Sequence, residues 1–230
     1  MRKTLYILLL TALCNLNIAA QNRPYIDDKL FHFGFSLGLN FMHYTTPESD
    51  EVIDGEQYQV SVTSMTPGFS VGFITDLRLS RHLNLRFCPA LHFGTRTLTY
   101  KPLSDPERRL HTDVLSLPIT VPLYLKWSAE REGNYRPYLI GGGGVSFDFG
   151  TDKKKPILQK TFDYFVEVGA GCDFYFEWFK FCPQITYSIG FNNVLTPADA
   201  RPELAVYDEF YTRALSKLLQ RQITLTFNFE

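Results

Sequence analysis

The chain has 230 residues with 20 Phe and 13 Tyr, and 23 Lys+Arg balance 24 Asp+Glu to a net charge of −1. That balance leaves no electrostatic footprint for nucleic acid. Beyond the first twenty residues no stretch approaches the roughly 18 consecutive apolar residues a spanning helix needs.

The chain opens with Arg2 and Lys3, an apolar run from Leu5 to Leu13, and Ile18-Ala19-Ala20 ahead of Gln21. This is the pattern of a secretory signal over residues 1–20, with cleavage expected between Ala20 and Gln21. Cys14 follows Leu13, a side chain too large for a lipoprotein processing site. The remaining cysteines, Cys88, Cys172 and Cys182, are odd in number and scattered, which argues against a disulfide framework.

From Phe31 to Phe41 every odd position is large and apolar, and His32, Gly34, Ser36, Gly38 and Asn40 lie between them. Strict period two predicts a strand with two unlike faces. The same alternation returns over 69–79, 83–97, 115–127, 135–149, 162–176, 179–191 and 223–229, eight strands in all. Their connections alternate in length. Short ones lie at Ser80–His82, 128–134 and 177–178, and long ones cover 45–66, 98–114, 150–161 and 192–221. No linker or shift in composition divides residues 21–230, so one domain is expected. The predicted fold is an all-β, eight-stranded antiparallel up-and-down transmembrane barrel, with short turns on the periplasmic side and long loops outside.

The two faces differ in charge. The apolar face of these strands carries no Asp, Glu, Lys or Arg. The other carries eleven: Asp76, Arg78, Arg86, Arg96, Lys126, Arg136, Asp148, Asp163, Glu167, Asp173 and Lys180. A soluble lipocalin-like barrel would turn its apolar face inward. Against it stand the bulk of Phe and Leu, too large for an eight-stranded interior, and nine glycines on the polar face, which suit a crowded lumen better than a solvent surface. The apolar face is therefore expected to meet lipid. The eleven charges are expected to pair in a filled polar lumen that is no pore, because unpaired buried charge is costly. A three-residue turn at Ser80–His82 pairs Leu79 with Leu83. That register sets Asp76 opposite Arg86 and Arg78 opposite Asn84.

Few residues suggest chemistry. His32, His92, Asp76 and Glu167 share the inner face, but no nucleophile elbow or metal-ligand spacing accompanies them, and they read as network members. Gly141-Gly142-Gly143-Gly144 lies inside an alternating strand with no helix behind it, so it reads as close-packed strand and not as a phosphate cradle. Lys153-Lys154-Lys155 reads as a solvated loop, with a lipid A phosphate contact as the alternative. Pro202 followed by acids suggests a short helix over 202–211. Its aromatics Tyr207, Phe210 and Tyr211 either pack on the barrel rim or anchor a partner. No enzyme activity and no cofactor is expected.

The segments "FHFGFSLGLN", "TPGFSVGFITDLRLSRHLNLRFCPALHFGTRTL", "NYRPYLIGGGG", "DFYFEWFKFCPQITYSIGFNNVL" and "LTFNFE" together resemble the PorT/SprT family of outer-membrane barrels. The likeness spans about residues 28–230. It implies a non-enzymatic accessory of type IX protein secretion and of gliding where that occurs, and the barrel is expected to be monomeric. Its implied partners are outer-membrane lipid and other secretion components, and it supplies no catalytic residues. The alternative is a general structural or adhesin-like outer-membrane barrel that interacts through its loops.

Overall fold

The computed structural model describes residues 27, 29–46, 58–64, 66–103, 107, 109–150, 156–201 and 211–230. The expected signal segment, with Ala20 and Gln21, lies outside them.

Eleven strands are present: β1 (Phe31–Thr45), β2 (Tyr58–Ser64), β3 (Pro67–Arg78), β4 (Leu83–Phe87), β5 (Ala90–Pro102), β6 (Leu110–Ser116), β7 (Pro118–Ser128), β8 (Tyr135–Asp148), β9 (Phe162–Tyr175), β10 (Lys180–Gly190) and β11 (Leu219–Phe229). They form eight staves, because β2 with β3, β4 with β5, and β6 with β7 are each one line of chain interrupted briefly. All pairings are antiparallel. The ring closes because β1 pairs with β3 on one side (Phe31↔Leu77 to Phe41↔Pro67) and with β11 on the other (Phe35↔Phe229 to Thr45↔Leu219). The structure is a closed eight-stranded antiparallel barrel, as the alternation predicts.

The turn register also agrees. Asp76 pairs with Arg86 and Arg78 with Asn84, and Leu79 N–H donates to Leu83 O at 3.0 Å. The Ser80 hydroxyl accepts the Leu83 amide at 3.1 Å, which holds the three-residue turn. In the longer turn after β7, Gly133 takes the left-handed conformation (φ 61°) that a side chain would resist.

The side chains sort by parity. Phe33 and Phe73 are 69% and 72% exposed on the outer face, whereas Asn40, Asp76 and Arg86 are fully buried inside. Outward rings stack across the ladders, as in Phe69–Phe93 with centroids 4.4 Å apart and Phe35–Phe229 at 5.0 Å. Exposed aromatics mark both ends of the band, while Phe35, Phe73 and Tyr187 stand between them. Phe31, Trp127, Tyr135 and Trp178 lie at the short-turn end, and Phe149, Phe162, Tyr164 and Phe191 at the other.

The glycine run obeys the same parity. A Cβ on outward Gly141 would meet nothing within 4 Å, but one on inward Gly142 would lie 2.1 Å from Leu123 O and 2.8 Å from Tyr124 Cα. Gly142→Ala is therefore expected to destabilise the barrel by about 1–3 kcal/mol, the usual cost of overpacking. Gly141→Ala should stay within about 0.5 kcal/mol of the parent. Urea unfolding in detergent micelles checks the contrast, which equal midpoints would contradict.

The structure corrects the expected long loops. Residues 58–64 are strand, β5 runs on to Pro102, and β6 starts at Leu110, so β2, upper β5 and β6 form a three-stranded sheet beyond the ring. β11 likewise begins at Leu219 rather than residue 223, which puts Arg221 on outward parity. Its guanidinium donates to Gly190 O and Gln220 O at 2.8 Å. Period two continues past Arg96, but the inner face becomes apolar. Tyr44, Val60, Leu98, Tyr100 and Val114 form a buried cluster with Val194, Leu195, Leu215 and Leu218 from the connections. Where the strands outrun the band, the chain's own connections cover their inner ends, and an ordinary hydrophobic core forms there.

Candidate functional site: the barrel lumen

Three acids and three bases meet near the short-turn end. The Arg86 guanidinium donates to Asp76 Oδ2 from Nε at 2.9 Å and from Nη2 at 2.7 Å, and Nη2 also reaches Glu230 Oε1 at 2.6 Å. Asn84 Nδ2 takes the other Asp76 oxygen at 2.7 Å. Lys126 Nζ lies 2.9 and 2.7 Å from the two Asp173 oxygens, while Lys180 Nζ contacts Glu230 Oε2 and stands 3.9 Å from Asp173 Oδ2. All six side chains are buried, so their opposite charges interact with little screening. The Tyr138 ring fills the space between them, with Lys126 Nζ 4.1 Å and the Arg86 guanidinium carbon 5.5 Å from its centroid.

Pairing throughout the eleven charges was the expectation, and here the structure differs. Arg96 makes no ion pair among the described residues. It lies 4.2 Å over the Tyr44 ring and donates from Nη1 to Tyr44 Oη at 2.5 Å, Ser116 Oγ at 3.3 Å and Gln159 Oε1 at 3.4 Å. Ser116 in turn donates to Asp148, whose other oxygen accepts the Leu117 and Gly150 amides at 2.9 Å. Asp163 accepts the Asn192 amide at 3.0 Å, and Glu167 is held by the hydroxyls of Tyr124 and Thr186. Amides and hydroxyls satisfy these carboxylates in place of bases. Arg136 sits at the rim, donating to Ala129 O at 2.8 Å and Arg81 O at 2.5 Å, and stands 3.8 Å from Asp27. Arg78 lies at the end of β3, opposite Asn84.

The sequence reading did not single out Glu230, Gln184, Tyr138 or Asp27, and it set Asn84 opposite Arg78 without its bond to Asp76. Glu230 continues the inward parity of Thr224, Thr226 and Asn228, a signal that was available. Asp27 precedes β1 and accepts the Tyr175 hydroxyl at 2.8 Å, which no periodicity could reveal.

Between the two buried ends lies a cavity of about 60 Å³ lined by Ser36, His92, Thr120, Tyr124, Glu167 and Gln184, among others. At roughly 15 Å³ per water it has room for about four. A second, of about 20 Å³, lies beside Ser146, Asp163 and Gln222. His92 contacts Thr120 Oγ1 at 3.0 Å and Gln222 at 3.2 Å, and His32 lies across the β1–β3 ladder from Asp76, whose oxygens Arg86 and Asn84 occupy. Among the described residues no group of three or more His, Cys, Asp or Glu side chains is placed to hold a metal.

Of the aromatic set, Tyr207 and Phe210 lie outside the described residues, as does Lys153-Lys154-Lys155. Tyr211 packs edge-on to Tyr100 at 5.1 Å, and its carbonyl accepts the Tyr100 hydroxyl at 3.0 Å. It packs, partly buried, against the edge of the apolar cluster.

A family model described as an outer membrane protein beta-barrel domain matches residues 19–196. The chain belongs to this outer-membrane barrel family. Its outward band of Phe, Leu and Val is thus the surface that meets the outer-membrane bilayer. The match stops at residue 196, so β11, which closes the ring on β1, follows the matched segment. Small outer-membrane barrels are similar in structure. Neisserial surface protein A is 10% identical, with 84% of this chain and 95% of that chain covered at a TM-score of 0.40. OprG from Pseudomonas aeruginosa is 13% identical, with 86% and 92% covered at 0.46. AlkL, solved in lipid bilayers, is 14% identical, with 91% and 94% covered at 0.43. No curated protein matches the sequence.

Proposed function

We propose that this outer-membrane barrel is a non-enzymatic accessory of type IX protein secretion that works through its surfaces and is not itself the export conduit. The secretion role rests on the PorT/SprT resemblance. The observation that carries the rest is the occupied interior. Arg86, Lys126 and Lys180 with their three carboxylates cross the lumen at one end, and the Leu98–Tyr100–Leu218 cluster fills the other. Cavities of water size lie between. A polypeptide would have to displace both, and breaking a buried ion pair alone costs about 3–5 kcal/mol.

In this reading the short turns face the periplasm, the long connections face outward, and the barrel acts as a monomer in lipid. Recognition then falls to the connections, since loops carry binding more often than barrel walls do. Tyr207, Phe210 and the partly buried Tyr211 are the aromatic anchor candidates, and the first two are the pair to substitute because Tyr211 also packs against the apolar cluster.

Deleting the gene is expected to abolish secretion of proteins bearing the C-terminal export signal. Tyr207→Ala with Phe210→Ala is expected to impair secretion while the barrel still inserts, and purified protein should give no nanosiemens steps in planar bilayers. Normal secretion in the deletion strain would overturn the secretion role and favour a general structural barrel. A stable large pore would overturn the surface-only mechanism.

A further inference from the structure

The third stave carries a seam. Chain pairing sets β4 and β5 against β7 in one register, Phe87↔Leu123 and Ala90↔Thr120, which places Cys88 opposite Pro122 and Pro89 opposite Val121. Pro89 accepts the Phe73 amide at 3.0 Å but has no N–H to return, and Pro122 lacks one as well. Two ladder donors are thus missing within a short stretch of wall. Small side chains line its inner surface: Ser36 pairs with Gly72, and Gly72 with Ala90. A Cβ on Gly72 would fall 2.7 Å from Pro89 O, 2.8 Å from Ser36 Oγ and 2.9 Å from the Ala90 Cβ, so only glycine allows this close approach.

Outside the seam lies a groove of about 460 Å³ walled by Phe35, Leu37, Val71, Phe73, Leu91 and Ile119 and floored by Ser36, Gly72, Pro89 and Ala90. Its size is that of a small-molecule pocket, roughly 300–1,000 Å³. Ser36 and Ala90 also line the lumen cavity, so the wall there is one small side chain thick. The groove lies within the outward apolar band and is continuous with the bilayer-facing surface, on which Phe73 and Phe35 are both exposed.

We propose that this groove seats one acyl chain of a membrane lipid as a bound component of the barrel wall. Hydrocarbon is the fitting occupant because six apolar side chains form the walls, no charged group lines the groove, and the medium it opens into is lipid tail. A chain seated between these walls gains dispersion contacts that a tail lying across protruding side chains does not. The proposal stands apart from the secretion reading, since it uses only the wall and its membrane face.

The test reconstitutes the full barrel in phosphatidylethanolamine–phosphatidylglycerol vesicles doped with a phospholipid carrying a photoactivatable diazirine on its acyl chain. Sites of covalent label are then mapped by peptide mass spectrometry. Label on Phe35, Leu37, Val71, Phe73 and Leu91 is expected at about five times the yield on the equally outward Val166, Val168 and Ile185, a preference of ~1 kcal/mol. Val71→Trp, which fills the groove, should lower that excess to the level of the opposite wall. Leu37→Trp gives the same test if the first variant does not fold. Uniform label around the wild-type barrel, or an excess that survives a folded filling variant, would overturn the proposal.

Discussion

Arg86→Met is expected to lower the unfolding free energy by about 3–5 kcal/mol, because it strands buried carboxylates without their base. In the folded barrel Arg86 serves two acids at once, Asp76 at 2.7 Å and Glu230 at 2.6 Å, and no side-chain surface of Arg86 or Asp76 reaches solvent. Methionine fills much of the volume, so the loss reports charge rather than a cavity. After the substitution Asp76 keeps Asn84 and Glu230 keeps Lys180, but three acids then face two bases. Adding Asp76→Asn restores two against two and is expected to recover at least half of the loss. Urea midpoints in micelles, read by the shift between folded and unfolded gel bands, provide the measurement. A single variant as stable as the parent, or a double variant no better than the single, would refute this account of the cluster.

Val168→Arg should cost about 2–4 kcal/mol, the expense of placing a cation at mid-height on a lipid-facing strand. Val168 sits near the centre of β9, is 54% exposed, and has Gly141 and Tyr187 as its ladder neighbours. No carboxylate stands among those neighbours to pair with the guanidinium. The same substitution at Phe162, at the end of β9 beside the aromatic band, should cost only about 0–1 kcal/mol because the head can reach the interface. Vesicle insertion yields and urea midpoints test the depth dependence. Equal costs at the two positions would show that the outward band does not lie across the hydrocarbon.

Period-two alternation determined the barrel, because a closed eight-stranded sheet in lipid can have only one apolar face and one polar face. Parity with a three-residue turn also determined the Asp76–Arg86 pairing, since adjacent strands joined by a tight turn have one admissible register. Where the strands end was less legible. The inner face changes from Arg96 to Leu98 and Tyr100 without any break in period, and only the folded connections show what covers them.

Pairing across the lumen was decided by tertiary structure alone. Lys126 on β7 binds Asp173 on β9, past the intervening β8 and over Tyr138, although in the ladders Lys126 neighbours Ile140 and Asp173 neighbours Arg136. Glu230 meets Arg86 across 144 residues of chain. Both contacts depend on the stagger of the closed ring, which sets the inward residues that share a height, and local alternation carries no information about that stagger. The sequence on its own thus determined the face of each residue, while closure of the ring chose its partners.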